Sequence, residues 1–247
     1  MNLETHFDYM HRTYDFWQHC FSPTGLGKDD FLLFDILKGL AYIHKMDEIH
    51  RDIKPANGNT SPWQTYRSVL LVRDAWGYYR LKIADFGYTS FGESGKNYSS
   101  VQGRSTPIYC APELLVRGKY SKKSDIWAFG CIFYESLFKC LDRRRAFASI
   151  PAITSYFHQE NIPPPQMSWQ TVGITPHHIP MQYRGEKEGV ERAWDFVNII
   201  LAAIFRRNPD ERPSVSLLLE NFNRISKAKP LTIPDYRPST TNDATAS

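Results

Sequence analysis

An eight-residue stretch, HRDIKPAN at positions 50–57, combines the side-chain types of a catalytic loop. Asp52 can accept a proton, Lys54 can neutralise a negative charge, and Asn57 can offer an amide oxygen to a hard cation. The same residue types also suit a polar turn closed by an Asx hydrogen bond. Taken by itself, the stretch therefore leaves two interpretations open.

Four further motifs follow the stretch in sequence order and favour the catalytic interpretation. They are DFG at 85–87, TPIYCAPE at 106–113, DIWAFG at 125–130 and NPDERP at 208–213. In this order the five motifs resemble those of eukaryotic protein kinases, over about residues 30–225. Lys54, two residues after Asp52, and Thr106 are typical of the serine/threonine type.

The resemblance implies a phosphoryl-transfer site that uses ATP and Mg²⁺. Asp52 would accept or orient the proton of a serine or threonine hydroxyl in a protein substrate, and Lys54 would neutralise the transferred phosphate. Asn57 and Asp85 would bind Mg²⁺, whose preferred ligands are oxygen atoms. Lys54, Asn57 and Asp85 would thus hold the phosphates, and Leu70 would form an apolar floor under the adenine.

The resemblance also assigns residues to the activation segment, which would comprise residues 85–113. Arg51 would receive a phosphate from this segment, and Thr106 fits the substrate-facing turn of serine/threonine kinases. The hydroxyl groups that could carry this phosphate are those of Thr89, Ser94, Ser99, Ser100 and Ser105. A Ser- and Gly-rich segment is also simply a loop, and both interpretations stay open. Ser105 stands where the family usually has glycine.

Other matching residues would hold the site together. His50 and Phe86 would stack in the core below the nucleotide, and Asp125 would hold the backbone of the catalytic loop. Glu113 and Arg212 would form a buried ion pair. Trp127 and Cys131, in contrast, are interpreted as core packing.

The sequence before the catalytic loop departs from the family pattern. Its one glycine cluster, GLGK at 25–28, lacks the third glycine of G-x-G-x-x-G because Asp30 stands there. Lys38 and Lys45 fall in helical sequence, so neither fits the strand lysine that contacts ATP phosphates. We therefore expect the chain to represent the large, C-terminal lobe of a kinase, with the small lobe missing.

A second departure lies directly after Asn57. Residues 58–68, GNTSPWQTYRS, separate Asn57 from the strand that the family places immediately behind it. Lengthening a loop costs little, about 0.6 kcal/mol for each doubling. A ligand displaced by about 1 Å, however, can slow a reaction roughly 100-fold. The insertion thus threatens the placement of Asn57 more than it threatens folding.

Hydrophobic periodicity predicts a mainly α fold with a small β-ribbon. The resemblance implies that this fold is a kinase-like large lobe, that is, a truncated kinase fold. We expect a kinase domain over 1–236 and a disordered tail over 237–247. Asp29 or Asp30 is predicted to cap the first helix and Ser124 the second. The predicted helices cover about 30–46, 125–138, 190–206 and the residues after Pro213-Ser214; the predicted strands cover 69–72 and 80–83; the predicted irregular regions are 86–112 and 141–189.

Composition excludes several classes of protein. Of 247 residues, 42% are hydrophobic and 23% are charged, which is ordinary for a globular protein. The net charge is a mild +4, whereas a protein that binds nucleic acid usually has a clustered basic face. The N-terminus lacks the apolar core of a signal peptide, and no apolar run reaches the length of a membrane span. Four cysteines without metal-binding spacing are typical of reduced thiols. We therefore expect an intracellular protein, cytoplasmic or nuclear.

Three functional interpretations remain at this point. The chain is a serine/threonine kinase whose activity in isolation is at trace level, or an inactive kinase-like module that binds a protein partner. It could also derive from an incomplete gene model of an ordinary kinase. The surface left by the missing lobe could be covered by a small lobe from a longer transcript or by a partner protein.

Overall fold

The computed structural model describes residues 32–54, 68–75, 79–91, 107–138, 145–166, 187–226 and 231–233. Helices dominate these residues, as the periodicity predicted. The helices are α1 (Leu32–Lys45), α2 (Pro112–Arg117), α3 (Lys122–Phe138), α4 (Ile150–His158), α5 (Lys187–Ile204) and α6 (Val215–Ser226). The strands are β1 (Glu48–Ile49), β2 (Val69–Arg73), β3 (Tyr79–Ile83) and β4 (Ser90–Phe91).

Helix α1 forms where its apolar periodicity predicted it. Leu33, Ile36, Leu37 and Leu40 lie on one face of the helix and are buried in the core. The helix ends before Asp47, whose φ of 60° takes the chain out of the helical conformation. The predicted caps, Asp29 and Asp30, lie outside the described residues. Lys38 and Lys45 lie in this helix, as expected.

Strands β2 and β3 form the predicted ribbon. They pair antiparallel, with Val69 opposite Ile83 and Leu71 opposite Leu81. Alternation along the strands buries Val69 and Leu81 and leaves Leu70 exposed on the other face. Strand β3 packs on α1 so closely that a Cβ atom at Gly39 would lie 2.9 Å from Ile83 Cδ1. The ribbon is thereby fixed to the helix that leads into the catalytic loop.

Helix α3 is the central helix, but its predicted cap is wrong. The helix begins at Lys122, and Ser121 is the capping residue, because its hydroxyl accepts a hydrogen bond from Lys123 N at 3.2 Å. Ser124 completes the cap by accepting from Ser121 N at 3.2 Å, which is a reciprocal capping arrangement. On the far side, a Cβ atom at Gly130 would lie 2.3 Å from Ile204 Cγ2, so glycine permits α5 to pack here.

The prediction that residues 141–189 form one long loop is also wrong. Residues 150–158 form α4, because the Ser149 hydroxyl caps the first turn by accepting from Ala152 N at 3.3 Å. Pro151 is compatible with this helix, since the first turn does not use its missing N–H. Helix α5 begins at Lys187, three residues before the predicted start at 190, and ends at Ile204.

Residues 86–112 are less irregular than predicted. Strand β4 pairs antiparallel with β1, so Ile49 lies opposite Ser90 and Glu48 lies opposite Phe91. Short 3-10 turns cover Phe86–Tyr88 and Pro107–Tyr109. The pairing links the segment after the DFG motif to the residues before the catalytic loop.

The last helix, α6, follows Pro213-Ser214 as predicted and closes the core. Leu218 and Phe222 are buried on its inner face, and the Phe222 ring contacts Phe133 edge-on at 5.3 Å. Asn221, also buried, accepts hydrogen bonds from Thr232 N at 2.7 Å and Ile233 N at 3.2 Å. The helix therefore holds residues 231–233 against the core. The predicted tail at 237–247 lies outside the described residues.

Among the described residues, no helix combines the length and the apolar character that a bilayer crossing requires.

Candidate active site

The first half of the catalytic loop is anchored by Asp125 of α3. Its carboxylate accepts hydrogen bonds from the backbone N–H groups of His50 and Arg51, both at 2.9 Å, and lies 2.9 Å from His44 Nε2. These two hydrogen bonds hold Arg51 at a φ of 71°, which is a strained conformation for a residue with a long side chain. The contact between Asp125 and the loop backbone is the one that the resemblance implied.

Asp52 and Lys54 form an ion pair inside the loop. Lys54 Nζ lies 2.8 Å from Asp52 Oδ2, and both side chains are buried. Burial raises the pKa of the Asp52 carboxyl above its ordinary value, although the hydrogen bond and the charge of Lys54 oppose the rise. The negative charge of Asp85 adds to the increase in the pKa of Asp52.

Asp85 follows strand β3 in a left-handed backbone conformation, with φ 62° and ψ 68°. Aspartate tolerates this region better than most residues. Its side chain is half-buried, and within the described part of the chain the carboxylate has no hydrogen-bond or ion-pair partner. The carboxylate oxygens are thus free of protein donors among the described residues.

The predicted contact between His50 and Phe86 is present, but its setting differs from the prediction. The rings meet edge-on at 5.4 Å, and His50 is fully buried, with Nε2 3.0 Å from the carbonyl oxygen of Ala84. Phe86, however, is 52% exposed, so it does not lie in the core. Phe86 lies in the 3-10 turn that follows strand β3, where the His50 ring contacts it edge-on.

The residues proposed for the activation segment are only partly described. Arg51 donates from Nε to the carbonyl oxygen of Tyr88, and its guanidinium lies 5.3 Å from the centre of the Tyr120 ring. The Thr89 hydroxyl is buried, which argues against Thr89 as a phosphate acceptor in this conformation. The other residues predicted for this role, and the predicted turn residue, lie outside the described residues: Ser94, Ser99, Ser100, Ser105 and Thr106.

The ion pair expected between Glu113 and Arg212 is present and bidentate. Nη1 and Nη2 of Arg212 each lie 2.7 Å from an oxygen of Glu113, and both residues are buried. The guanidinium also lies 4.9 Å from the centre of the Trp127 ring. Trp127 and Cys131 are buried in the core, as predicted. Removing one partner of such a pair costs roughly 3–5 kcal/mol, because the other charge stays buried.

Asp85 offers the kind of oxygen ligand that Mg²⁺ prefers. Within the described residues, no group of three or more His, Cys, Asp or Glu side chains could hold a metal. Asp85 offers one carboxylate, and Asn57, its predicted co-ligand, lies outside the described residues. Mg²⁺ is commonly bound through one or two carboxylates together with substrate phosphates, which matches this sparse donor set.

Sequence reasoning missed two residues that support the site. Ser68, which the sequence placed inside the insertion, is fully buried and hydrogen-bonded to Lys54. Asp35 of α1 accepts from Leu81 N at 3.0 Å and pairs with Arg80 Nη2 at 2.6 Å, so it fixes the strand that leads to Asp85. The sequence contained a signal for Asp35, because a carboxylate stands there among the predicted buried positions of α1. No comparable signal marked Ser68.

Comparison with known proteins agrees with the site geometry. A family model described as the protein kinase domain matches residues 7–222. The chain belongs to the protein kinase family. The match to this kinase-family chain begins earlier than the resemblance recognised from its motifs, which covers about residues 30–225.

Curated relatives place the kinase-family chain near serine/threonine kinases. It is similar to serine/threonine-protein kinase pakG of Dictyostelium discoideum, with 30% identity over 188 residues, covering 76% of the chain and 13% of that relative. Mitogen-activated protein kinase kinase kinase A of the same organism is 28% identical over 83% of the chain and 18% of its own length. Meiosis induction protein kinase IME2/SME1 of Saccharomyces cerevisiae is 40% identical over 44% of the chain and 17% of its own length. The chain thus spans less than a fifth of these three relatives.

Proposed function

We propose that this kinase-family chain carries the phosphoryl-transfer residues of a serine/threonine protein kinase that uses ATP and Mg²⁺. The observation that carries the proposal is the buried Asp52–Lys54 ion pair, at 2.8 Å, in which the charge of Asp85 helps to raise the pKa of Asp52. Phosphoryl transfer requires mainly positioning and charge neutralisation, and these three side chains offer both. Family membership and the names of the relatives support the same reaction.

Asp52 is proposed to accept or orient the proton of the substrate hydroxyl. Its buried position raises its pKa, which makes the ionised carboxylate a better proton acceptor than an exposed aspartate. Lys54 holds Asp52 in place in the described conformation. We propose that the lysine also neutralises charge on the transferred phosphate, so the ion pair would rearrange when substrate binds.

Asp85 and Asn57 are proposed to hold Mg²⁺. When bound, Mg²⁺ neutralises the charge of the ATP phosphates. The carboxylate of Asp85, which has no hydrogen-bond or ion-pair partner among the described residues, supports its part in this site. Leu70, 37% exposed on the outer face of the ribbon, is proposed to lie beneath the adenine. Lys54 would complete the contacts to the phosphates.

The finer parts of the proposal concern the surroundings of the reaction. Arg51 is proposed to bind an activating phosphate. The proposed substrate is a serine or threonine of another protein. The proposed location is inside the cell, in the cytoplasm or the nucleus. We expect the 247 residues by themselves to transfer phosphate at trace rates. Their sequence offers no glycine-rich cover or strand lysine for ATP before position 50, and losing one stabilising group commonly costs 10²–10³-fold.

A second candidate function is a kinase-like module that binds a protein partner without catalysis. The exposure of Phe86, at 52%, favours this candidate, since a large aromatic side chain beside the site would be protected by a partner. The insertion after Asn57 and the serine at position 105 also favour it. A partner covering this surface would equally suit an active kinase that is completed by another protein.

Transfer of radiolabelled phosphate from ATP to a generic serine/threonine substrate tests the proposal. The wild-type chain should incorporate phosphate slowly, and Asp52→Asn, which keeps the shape of the side chain, should abolish incorporation. The matched control is Glu220→Gln, a change on the exposed face of α6, which should leave the rate unchanged. No incorporation above the Asp52→Asn background would favour the partner-binding module.

A further inference from the structure

Ser68 is placed where two parts of the site meet. Its hydroxyl accepts a hydrogen bond from the backbone N–H of Lys54 at 2.7 Å and donates to the carbonyl oxygen of Lys54 at 3.1 Å. One side chain therefore satisfies both backbone groups of the lysine that pairs with Asp52. The exposed fraction of Ser68 is 0%, so water does not compete for these bonds.

The backbone of Ser68 connects to the other part of the site. Its carbonyl oxygen accepts from Ala84 N at 2.8 Å, which continues the β2–β3 pairing one step beyond Val69 and Ile83. Ala84 directly precedes Asp85, and its own carbonyl lies 3.0 Å from His50 Nε2. Ser68 thus joins Lys54 on one side to the residue before Asp85 on the other.

This connection matters because Lys54 and Ser68 are far apart in the sequence. Thirteen residues, 55–67, separate Lys54 from Ser68, so the covalent chain by itself constrains their distance poorly. A serine hydroxyl can accept one bond and donate another at the same time, as this position requires. An alanine here would leave a buried donor and a buried acceptor unsatisfied, which proteins rarely tolerate.

We propose that Ser68 is a positioning residue of the transfer site: its hydroxyl fixes Lys54 relative to Asp85 across the insertion. The proposal rests on the proposed kinase function and adds to it a residue that no family motif contains. It also explains how a large insertion can follow the catalytic loop without separating its lysine from the metal-binding strand.

The test compares Ser68→Thr with Ser68→Val. The two side chains have nearly the same shape, and only threonine keeps the hydroxyl. Hydrogen exchange at the Lys54 amide, followed by NMR, should stay slow in wild type and Ser68→Thr and become fast in Ser68→Val. The kcat for phosphate transfer should fall roughly 10- to 100-fold in Ser68→Val, as for a misplaced catalytic group. The KM for ATP should change less than kcat, because Lys54 is proposed to act mainly on the phosphate that is transferred.

Two further variants complete the design. Ser68→Ala adds no atoms and should reproduce the effects of Ser68→Val, so the test stands even if the branched side chains prevent folding. Asn221→Ala removes another buried side chain that holds backbone amides, far from the loop in sequence. It should lower the melting temperature without changing Lys54 exchange or the kcat of the folded protein.

Slow exchange at Lys54 in both Ser68→Val and Ser68→Ala would overturn the proposal, and so would equal kcat values for the threonine and valine variants. A wild-type chain without any transfer activity would instead remove the proposed kinase function. The exchange measurement needs no activity, so it would still decide whether the Ser68 hydroxyl fixes Lys54.

Discussion

The structure describes residues 50–54 of the catalytic loop, and the two ends of this stretch, at His50–Arg51 and at Lys54, are held by groups of different kinds. The first end is bonded to a buried carboxylate, Asp125, that belongs to the central helix α3. The second end is bonded to a neutral hydroxyl, that of Ser68, which lies at the edge of the insertion. The first end contains a strained residue and needs the stronger anchor. The second end is held by these hydrogen bonds although an insertion follows the loop.

The largest effect is expected from breaking the first anchor. Asp125→Ala leaves the amides of His50 and Arg51 without their acceptor, and each unsatisfied buried donor costs about 1–3 kcal/mol. The free energy of unfolding, measured in urea, should therefore fall by roughly 2–6 kcal/mol. Glu220→Ala, which removes an exposed carboxylate 3.5 Å from Arg224, is the control and should cost less than about 1 kcal/mol. Similar losses in both variants would contradict the anchoring role of Asp125.

A smaller effect is expected at the second end, from two deletions that differ by one residue. Removing residues 58–67 keeps Ser68 and should leave the melting temperature similar or higher. Removing 58–68 also takes the hydroxyl that pairs with Lys54, and should cost about 1–3 kcal/mol more. Equal melting temperatures for the two deletions would mean that Ser68 does not hold this end of the loop. The comparison places the end of the removable segment at position 67, one residue before the predicted end of the insertion.

The smallest effect is a change in the pH dependence of stability. The folded-state pKa of Asp52 is raised by burial, so the folded protein binds its proton more tightly than the unfolded chain does. Stability should therefore decline as the pH rises from about 3.8, the ordinary value, through the higher folded-state pKa. Asp52→Asn should reduce this decline in stability. Part of the decline should remain in the variant, because burial also raises the pKa of Asp35. Urea midpoints that fall equally with pH in wild type and Asp52→Asn would count against the shift.

The difference between the two ends also explains how far sequence reasoning reached. Asp125 was predictable because it belongs to a motif with fixed neighbours, and the ion pair of Glu113 with Arg212 was predictable for the same reason. Helices α1 and α6 followed from apolar periodicity. Helix α4 was missed because the six prolines of residues 141–189 suggested a loop, although Pro151, the one proline within the helix, occupies a first turn that accepts proline.

Ser68 was not predictable, since nothing in a single sequence marks which residue of an insertion returns to the core. Its role depends on a contact with the backbone of Lys54, 14 positions away. Every residue has the same backbone groups, so the sequence does not indicate which of them Ser68 contacts. The exposure of Phe86 was missed for a related reason. The motif fixes its neighbour His50, but burial depends on what else covers the ring.

The most direct test of the account separates the two carboxylates of the site. Thermal stabilisation by ATP, or by a non-hydrolysable analogue, should be measured with and without Mg²⁺ in wild type, Asp85→Asn and Asp52→Asn. Asp85 is assigned to the metal and Asp52 to the substrate hydroxyl. Asp85→Asn should therefore abolish the Mg²⁺-dependent stabilisation, and Asp52→Asn should largely keep it. Equal loss in both variants, or no Mg²⁺-dependent nucleotide effect in the wild-type chain, would contradict the assignment.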